Sequence, residues 1–180
     1  MRRPPRSLWL AAPKGAVSGF GRPGATDMPL AIDKKVQDFT AEATGGPVKL
    51  SAMKGKKVVL YFYPKDNTPG CTTEGADFAA AHKKFEKAGA VILGVSRDSL
   101  KSHENFRAKM GFPFELIADP VEKLCEAFGV MKMKNMYGKQ VRGIERSTFV
   151  IDGDGKLRRE WRGVKVPGHV DEVLAFVQSL

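Results

Sequence analysis

One stretch of this 180-residue chain concentrates residue types able to do chemistry: Pro64-Lys65-Asp66-Asn67-Thr68-Pro69-Gly70-Cys71-Thr72-Thr73-Glu74. It follows an apolar run at residues 57–63 (KVVLYFY) and leads into a helix-patterned segment at residues 71–88. That is the end of a strand and the turn into a helix, where α/β sheets place their sites. Thr68 followed by Pro69 marks a helix start, with Thr at the N-cap and Pro at the first helical position. Cys71 then falls in the first turn. Free backbone N–H groups and the positive end of the helix dipole favour an anion there. The thiolate is the nucleophilic form of cysteine, and helix N-termini and neighbouring cations promote it.

A thiolate in this setting suits attack on a peroxide. That reaction needs a hydroxyl, free N–H donors and a cation to polarise the O–O bond and stabilise the leaving oxygen. Thr68 supplies a hydroxyl. The amides of Gly70 and Cys71 supply donors, and Gly70 has no side chain to obstruct approach. Pro64 and Pro69 stiffen the loop and limit water access. The cation has to come from elsewhere in the chain.

The elements that position this stretch follow from the apolar patterning. Residues 57–63 and 90–96 (AVILGVS) read as strands buried on both faces. Residues 71–88 form a helix with Lys83, Lys84 and Lys87 near its end, where the dipole prefers cations. Residues 100–110 form a second helix, ended by Gly111 and blocked by Pro113. Residues 114–118 are a third strand and residues 121–128 a third helix. In that helix Val121, Leu124, Cys125 and Phe128 recur on one apolar face. Residues 131–143 read as a polar, Gly-containing loop, with Met131, Met133 and Met136 as packing residues. Residues 147–151 and 156–161 flank Asp-Gly-Asp-Gly and form a hairpin. Residues 170–180 are a closing helix, and residues 36–41 and 47–50 a small N-terminal hairpin. The order β-α-β-α-β-α-β-β-α implies an α/β fold, a mixed central sheet with helices on both faces.

Composition limits the function classes. With 42% hydrophobic and 28% charged residues, the chain has the balance of a soluble globular protein. No apolar run approaches the ~20 residues of a membrane helix, so no membrane partner is expected. The net charge is +10. Five of the 30 basic and one of the 20 acidic side chains lie in residues 1–27, leaving 25 against 19, or +6, for the remainder. Those basic residues are interspersed with acids rather than gathered in a stripe with aromatics, which argues against nucleic acid as a partner. Residues 1–27, rich in Arg, Pro and Gly, read as a disordered extension, with a targeting segment or sequence upstream of a start at Met28 as the other readings. Residues 28–180 are the folded domain. Cys71 and Cys125 are the two cysteines. They are too few for a disulfide scaffold, form no CxxC pair and build no zinc set with His82, His103 and His169. This usage points to a reducing, cytoplasmic setting. No metal or cofactor is called for, and the three histidines show no acid or nucleophile partner in sequence.

Pro64-x-x-x-Thr68-x-x-Cys71 resembles the active-site motif of the peroxiredoxins. The longer run YFYPKDNTPGCTTEG resembles the branch called bacterioferritin comigratory protein or peroxiredoxin Q. The likeness continues through GVSRDSLKSHENF, FGV, YGK and GIERSTFVID, covering roughly residues 30–180. The resemblance implies a thioredoxin-like fold and a thiol peroxidase acting on hydrogen peroxide and organic hydroperoxides. It implies that Cys71 is the peroxidatic cysteine, oxidised to a sulfenic acid. Thr68 would hydrogen-bond the peroxide and Pro64 would shield the thiolate. Arg146 would be the missing cation, with Glu74 orienting it.

The chain departs from the branch at the resolving cysteine. The two positions where members carry it are Ala76, five residues after Cys71, and Arg107 on the following helix. Cys125 remains, on an apolar helix face that suits a core residue. The expectation is therefore a one-cysteine mechanism in a monomer, with the sulfenic acid reduced by thioredoxin or by glutathione with glutaredoxin. A two-cysteine enzyme resolved by Cys125 is the alternative within catalysis. A redox-sensing or holdase module is the alternative outside it.

Overall fold

Val58, Leu60 and Phe62 of strand β3 (Lys57–Phe62) point to one side of the sheet, and Val59 and Tyr61 to the other. All five are buried, because helices or loops cover both sides, as a central strand requires. Around β3 the chain builds a seven-stranded sheet in the order β2-β1-β5-β4-β3-β8-β9. Strands β4 (Ala90–Ser96) and β5 (Glu115–Ala118) run parallel to β3. Strands β1 (Thr40–Ala43), β2 (Val48–Lys49), β8 (Ser147–Ile151) and β9 (Leu157–Arg162) complete it with antiparallel pairings. The computed structural model describes residues 30–180. The expected extension at residues 1–27 lies outside the described residues.

One hydrophobic cluster lies under α1 (Pro69–Lys87) and α4 (His169–Ser179), and takes in Phe106 of α2 (Leu100–Met110). Within it Tyr61 stacks on Phe78 with centroids 4.5 Å apart and meets Phe114 edge-on, and Phe114 stacks on Phe112. The other cluster fills the opposite side, beneath Phe39, Leu50 and the short helix α3 (Lys123–Ala127). This is the expected α/β arrangement of a mixed sheet with helices on both faces. None of the helices among the described residues is long and apolar enough to cross a membrane.

Three expectations need correction. The segment expected as a polar loop at residues 131–143 is a two-stranded hairpin, β6 (Met131–Met136) and β7 (Lys139–Ile144). Tyr137 and Gly138 join the strands with φ of 53° and 76°, the paired positive φ of a type I′ hairpin turn. Met133 and Met136 are exposed on it rather than packed. The third helix starts later than expected: Glu122 sits in the left-handed region, so Val121 stays in the preceding turn and is 81% exposed. The N-terminal hairpin is shifted to Thr40–Ala43 and Val48–Lys49. Residues just before it are tied instead to the β8–β9 turn, with the Val36 N–H donating to the Gly155 carbonyl at 2.8 Å.

Candidate active site

The loop after β3 is fixed from beneath. The Tyr63 N–H donates to the Val95 carbonyl at 3.0 Å, carrying the pairing with β4 one residue further. Asp66 is then drawn into a buried brace. Its N–H donates to Asp98 Oδ2 at 2.9 Å, and its carboxylate receives the Tyr63 hydroxyl at 2.7 Å, the Ser102 hydroxyl at 2.8 Å and His103 Nδ1 at 2.8 Å. The second ring nitrogen of His103 faces the Ile117 carbonyl at 2.9 Å. Burial alone would push the Asp66 carboxyl up, but the bonds from His103, Tyr63 and Ser102 outweigh it and hold the group below the usual carboxylate range.

The brace corrects the view that the histidines lack partners. His103 is fully buried against Asp66, His169 Nε2 lies 2.8 Å from Thr148 Oγ1, and His82 lies 3.5 Å from Glu86. Ligand atoms of Asp66, Asp98 and His103 lie within 4.8 Å of one another. Hydrogen bonds from Tyr63, Ser96, Ser102 and the Asp66 backbone occupy these groups, so they serve as a brace for the loop. The residues involved are far apart in sequence, and no local pattern announces them.

Above the brace, Asn67 turns the chain through a φ of 60° and α1 begins at Pro69. Thr68 occupies the N-cap position with extended backbone, but its hydroxyl makes no capping bond and donates to the Lys65 carbonyl at 2.8 Å. The turn at Asn67 folds that carbonyl back within reach of the side chain. Gly70 and Cys71 follow in the first helical turn, whose N–H groups have no carbonyl four residues back within the helix. Pro64 is half-buried at the entry to the loop.

Arg146 arrives from the turn between β7 and β8. Its Nη2 donates to Cys71 Sγ at 3.4 Å and its Nη1 donates to Glu74 Oε1 at 2.8 Å. The reason Gly70 is glycine lies here: a Cβ would stand 3.0 Å from Arg146 Nη2, the nitrogen that reaches the sulfur. Burial opposes the Arg146 charge, but Glu74 and Cys71 more than offset it and raise the guanidinium above its usual range. Glu74 is fully buried, and burial pushes its carboxyl up to about 7 against the pull of Arg146. Its Oε2 has no hydrogen-bond partner among the described residues. Cys71 is 2% exposed and lies in the aromatic cluster under α1.

Lys134 was not foreseen, whereas Cys125 takes the core position expected of it. Lys134 on β6 donates to the Ile144 carbonyl, and burial, with the Arg146 charge nearby, lowers its ammonium below the usual range. Cys125 is fully buried on the other face of the sheet, where burial and the neighbouring Asp119 push its thiol far up. At the two positions where the resemblance would place a resolving cysteine, Ala76 is exposed, and Arg107 donates from Nε to the Phe114 carbonyl at 2.9 Å.

The chain's similarity to known proteins agrees with this arrangement. Residues 32–160 match the model of the AhpC/TSA family. A peroxiredoxin Bcp of Xanthomonas campestris pv. campestris is 56% identical over 155 residues, spanning 86% of this chain and 97% of the relative. A peroxiredoxin Bcp of Bacillus subtilis is 50% identical over 154 residues, spanning 85% and 98%. A solved structure of the Xanthomonas campestris bacterioferritin comigratory protein, described in terms of that protein's alkyl peroxide reduction activity, superposes with a TM-score of 0.75. It is 57% identical and covers 78% of this chain and 90% of its own. With its thioredoxin-like fold, the chain belongs to the AhpC/TSA family and, within it, to the Bcp/peroxiredoxin Q branch of the peroxiredoxins, the thiol peroxidases.

Proposed function

We propose that the protein reduces hydrogen peroxide and organic hydroperoxides through Cys71, by a one-cysteine cycle closed by an external thiol. The observation that carries the reading is the single guanidinium of Arg146 shared between Cys71 Sγ and the buried Glu74. Positive charge is fixed beside the sulfur, in a site with little access to water, where it stabilises both the attacking thiolate and the charge developing on the departing oxygen.

The Cys71 thiolate attacks the distal peroxide oxygen. The S–O bond forms as the O–O bond breaks, giving a sulfenic acid and an alkoxide or hydroxide that takes up a proton. The Thr68 hydroxyl keeps its donor bond to the Lys65 carbonyl and offers its lone pairs to the peroxide proton. Amides of the first turn and Arg146 face the oxygens, Pro64 limits water, and Glu74 holds the guanidinium in its plane. A thiol then attacks the sulfenic sulfur, releasing water and leaving a mixed disulfide, and a second thiol frees Cys71. Burial of Cys125 behind the sheet, with Ala76 and Arg107 at the alternative positions, supports an external reductant such as thioredoxin or glutathione with glutaredoxin. A monomer working in the reducing cytoplasm, with residues 28–180 as the catalytic domain, completes the reading.

The test is single-turnover mixing of the reduced protein with peroxide, followed by intact-mass measurement. Rapid peroxide loss with one oxygen added at Cys71, absent in a folded Cys71→Ser variant, is expected. Slow oxidation at the rate of a free thiol would instead favour a redox sensor.

A further inference from the structure

We propose that the β6–β7 hairpin is the docking surface for an acidic protein dithiol that resets Cys71; this rests on the one-cysteine reading above. Six large apolar side chains are exposed among the described residues, and four of them, Met133, Met136, Tyr137 and Val141, lie on this hairpin. Tyr137 at its tip is 101% exposed. Exposed apolar groups concentrated in this way mark an interaction site rather than ordinary surface.

The same segment is all of one charge. Residues 131–144 hold Lys132, Lys134, Lys139 and Arg142 and no acidic residue; Arg142 is paired with Glu122 and Glu126, so the lysines set the charge of the surface. The pairing register sorts them: Lys134 lies opposite Val141, and Met136 opposite Lys139. Strand alternation puts these four on one face. Lys134 on this face donates to the Ile144 carbonyl, two residues before Arg146, so the basic surface adjoins the segment that reaches the Cys71 sulfur. Among the described residues the two strands pair only with each other, and Arg97 donates to the Arg142 carbonyl on the edge of β7.

The charge decides the occupant. A second copy of this chain would set lysines against lysines. A partner with an acidic rim around an apolar centre would meet complementary charge, with Met and Tyr as the central contacts. Placed beside Cys71, such a partner needs a thiol to be of use. Its first thiolate attacks the sulfenic sulfur, forming an S–S bond, and one proton leaves with the hydroxyl as water. Its second thiol attacks its own bridged sulfur and releases the Cys71 thiolate. The sulfenic sulfur gains two electrons and the partner becomes a disulfide.

The experiment uses the full chain, and a charge-reversed variant carrying Lys132→Glu, Tyr137→Ser and Lys139→Glu, with peroxide in excess. Turnover is driven either by a reduced thioredoxin of net negative charge or by dithiothreitol, and melting curves check folding. The expected result is a rise of about tenfold in KM for the thioredoxin at low salt, with dithiothreitol turnover and single-turnover peroxide reduction unchanged. The KM of the unsubstituted chain should rise with salt and that of the variant should not. An unchanged thioredoxin KM, or no thioredoxin turnover where dithiothreitol supports it, overturns the docking proposal. So does binding of the unsubstituted chain but not the variant to phosphatidylserine vesicles with no change in thioredoxin KM, which would make the hairpin a lipid contact. Failure of the unsubstituted chain to consume peroxide with either reductant would overturn the peroxidase reading instead.

Discussion

Cys71 and Cys125 lie on opposite faces of the seven-stranded sheet, each buried in a different hydrophobic cluster. Strands β3, β4 and β8 stand between the two faces, paired along nearly their whole length. A bond between the two sulfurs needs Cα atoms within about 7 Å, which a sheet lying between them does not allow.

Replacing Cys125 with Ala should therefore leave peroxide turnover with an external thiol unchanged, at a stability cost of about 1 kcal/mol for the lost sulfur contacts. Peptide mapping of the peroxide-treated natural sequence should find no Cys71–Cys125 disulfide. Appearance of that disulfide as the main product would restore Cys125 as the resolving residue.

Arg146→Lys keeps a positive charge but loses the planar fork that reaches Cys71 and Glu74 together. The expected loss in the second-order rate with peroxide is about 10²–10³-fold, the range for removing one preorganised donor. Stopped-flow measurement of sulfenic acid formation checks it, and a loss of less than about threefold would take Arg146 out of the reaction.

Two buried groups set opposing pH slopes. Glu74 titrates at about 7 in the fold against its ordinary 4.5, so the unfolded chain loses this proton first. Its contribution is fully present below pH 4.5 and is lost as pH rises to 7, about 3 kcal/mol in all. Burial lowers His169 from 6.5 to about 4, so its contribution is fully present above pH 6.5 and falls away by a similar amount as pH drops to 4. Between pH 4.5 and 6.5 the two nearly cancel. Urea unfolding across this range should show Glu74→Gln gaining stability with pH relative to the natural sequence. A difference curve that stays flat would mean Glu74 is ionised throughout.

His103→Leu should cost about 3 kcal/mol, because it leaves the Asp66 carboxylate buried without its strongest partner. The same substitution should slow peroxide attack without touching substrate, since the loop carrying Thr68 is held through Asp66. Equilibrium unfolding and stopped-flow kinetics on one preparation test both. Full stability with normal kinetics would show that the brace does not position the loop.

How much of this could be read from sequence depended on whether the deciding contact was local. Helix Leu100–Met110 matches its expected bounds because the Ser99 side chain accepts the Ser102 N–H and Gly111 ends the helix at a φ of 67°, both written in adjacent residues. Strand Ala90–Ser96 matches because an apolar run bounded by Gly89, in the left-handed region, and by Arg97 has one stable placement. The β6–β7 hairpin escaped because its turn carries Tyr137 where Asn or Asp usually advertises a positive φ, and because Met-Lys alternation resembles a solvated loop. At the site, Cys71 stood out from its own loop. Arg146, 75 residues away, was reached only through the resemblance, and the Asp66–His103 pair, 37 residues apart, was not reached at all.

Cys71 shares its cluster with the ring stack of Tyr61, Phe78, Phe112 and Phe114, and close packing of that kind leaves little spare volume. One added oxygen is a catalytic intermediate, whereas a second makes a sulfinic acid, a bulkier group that the packed rings leave little room to hold even with Arg146 beside it. Damage at the sulfur is thereby converted into a defect of the fold. Protein driven to the sulfinic state should melt several degrees below the reduced form, as about 1–2 kcal/mol would dictate for a domain of this size, and should be cut faster by protease. An exhausted molecule would then differ from a working one in its lifetime as well as in its activity.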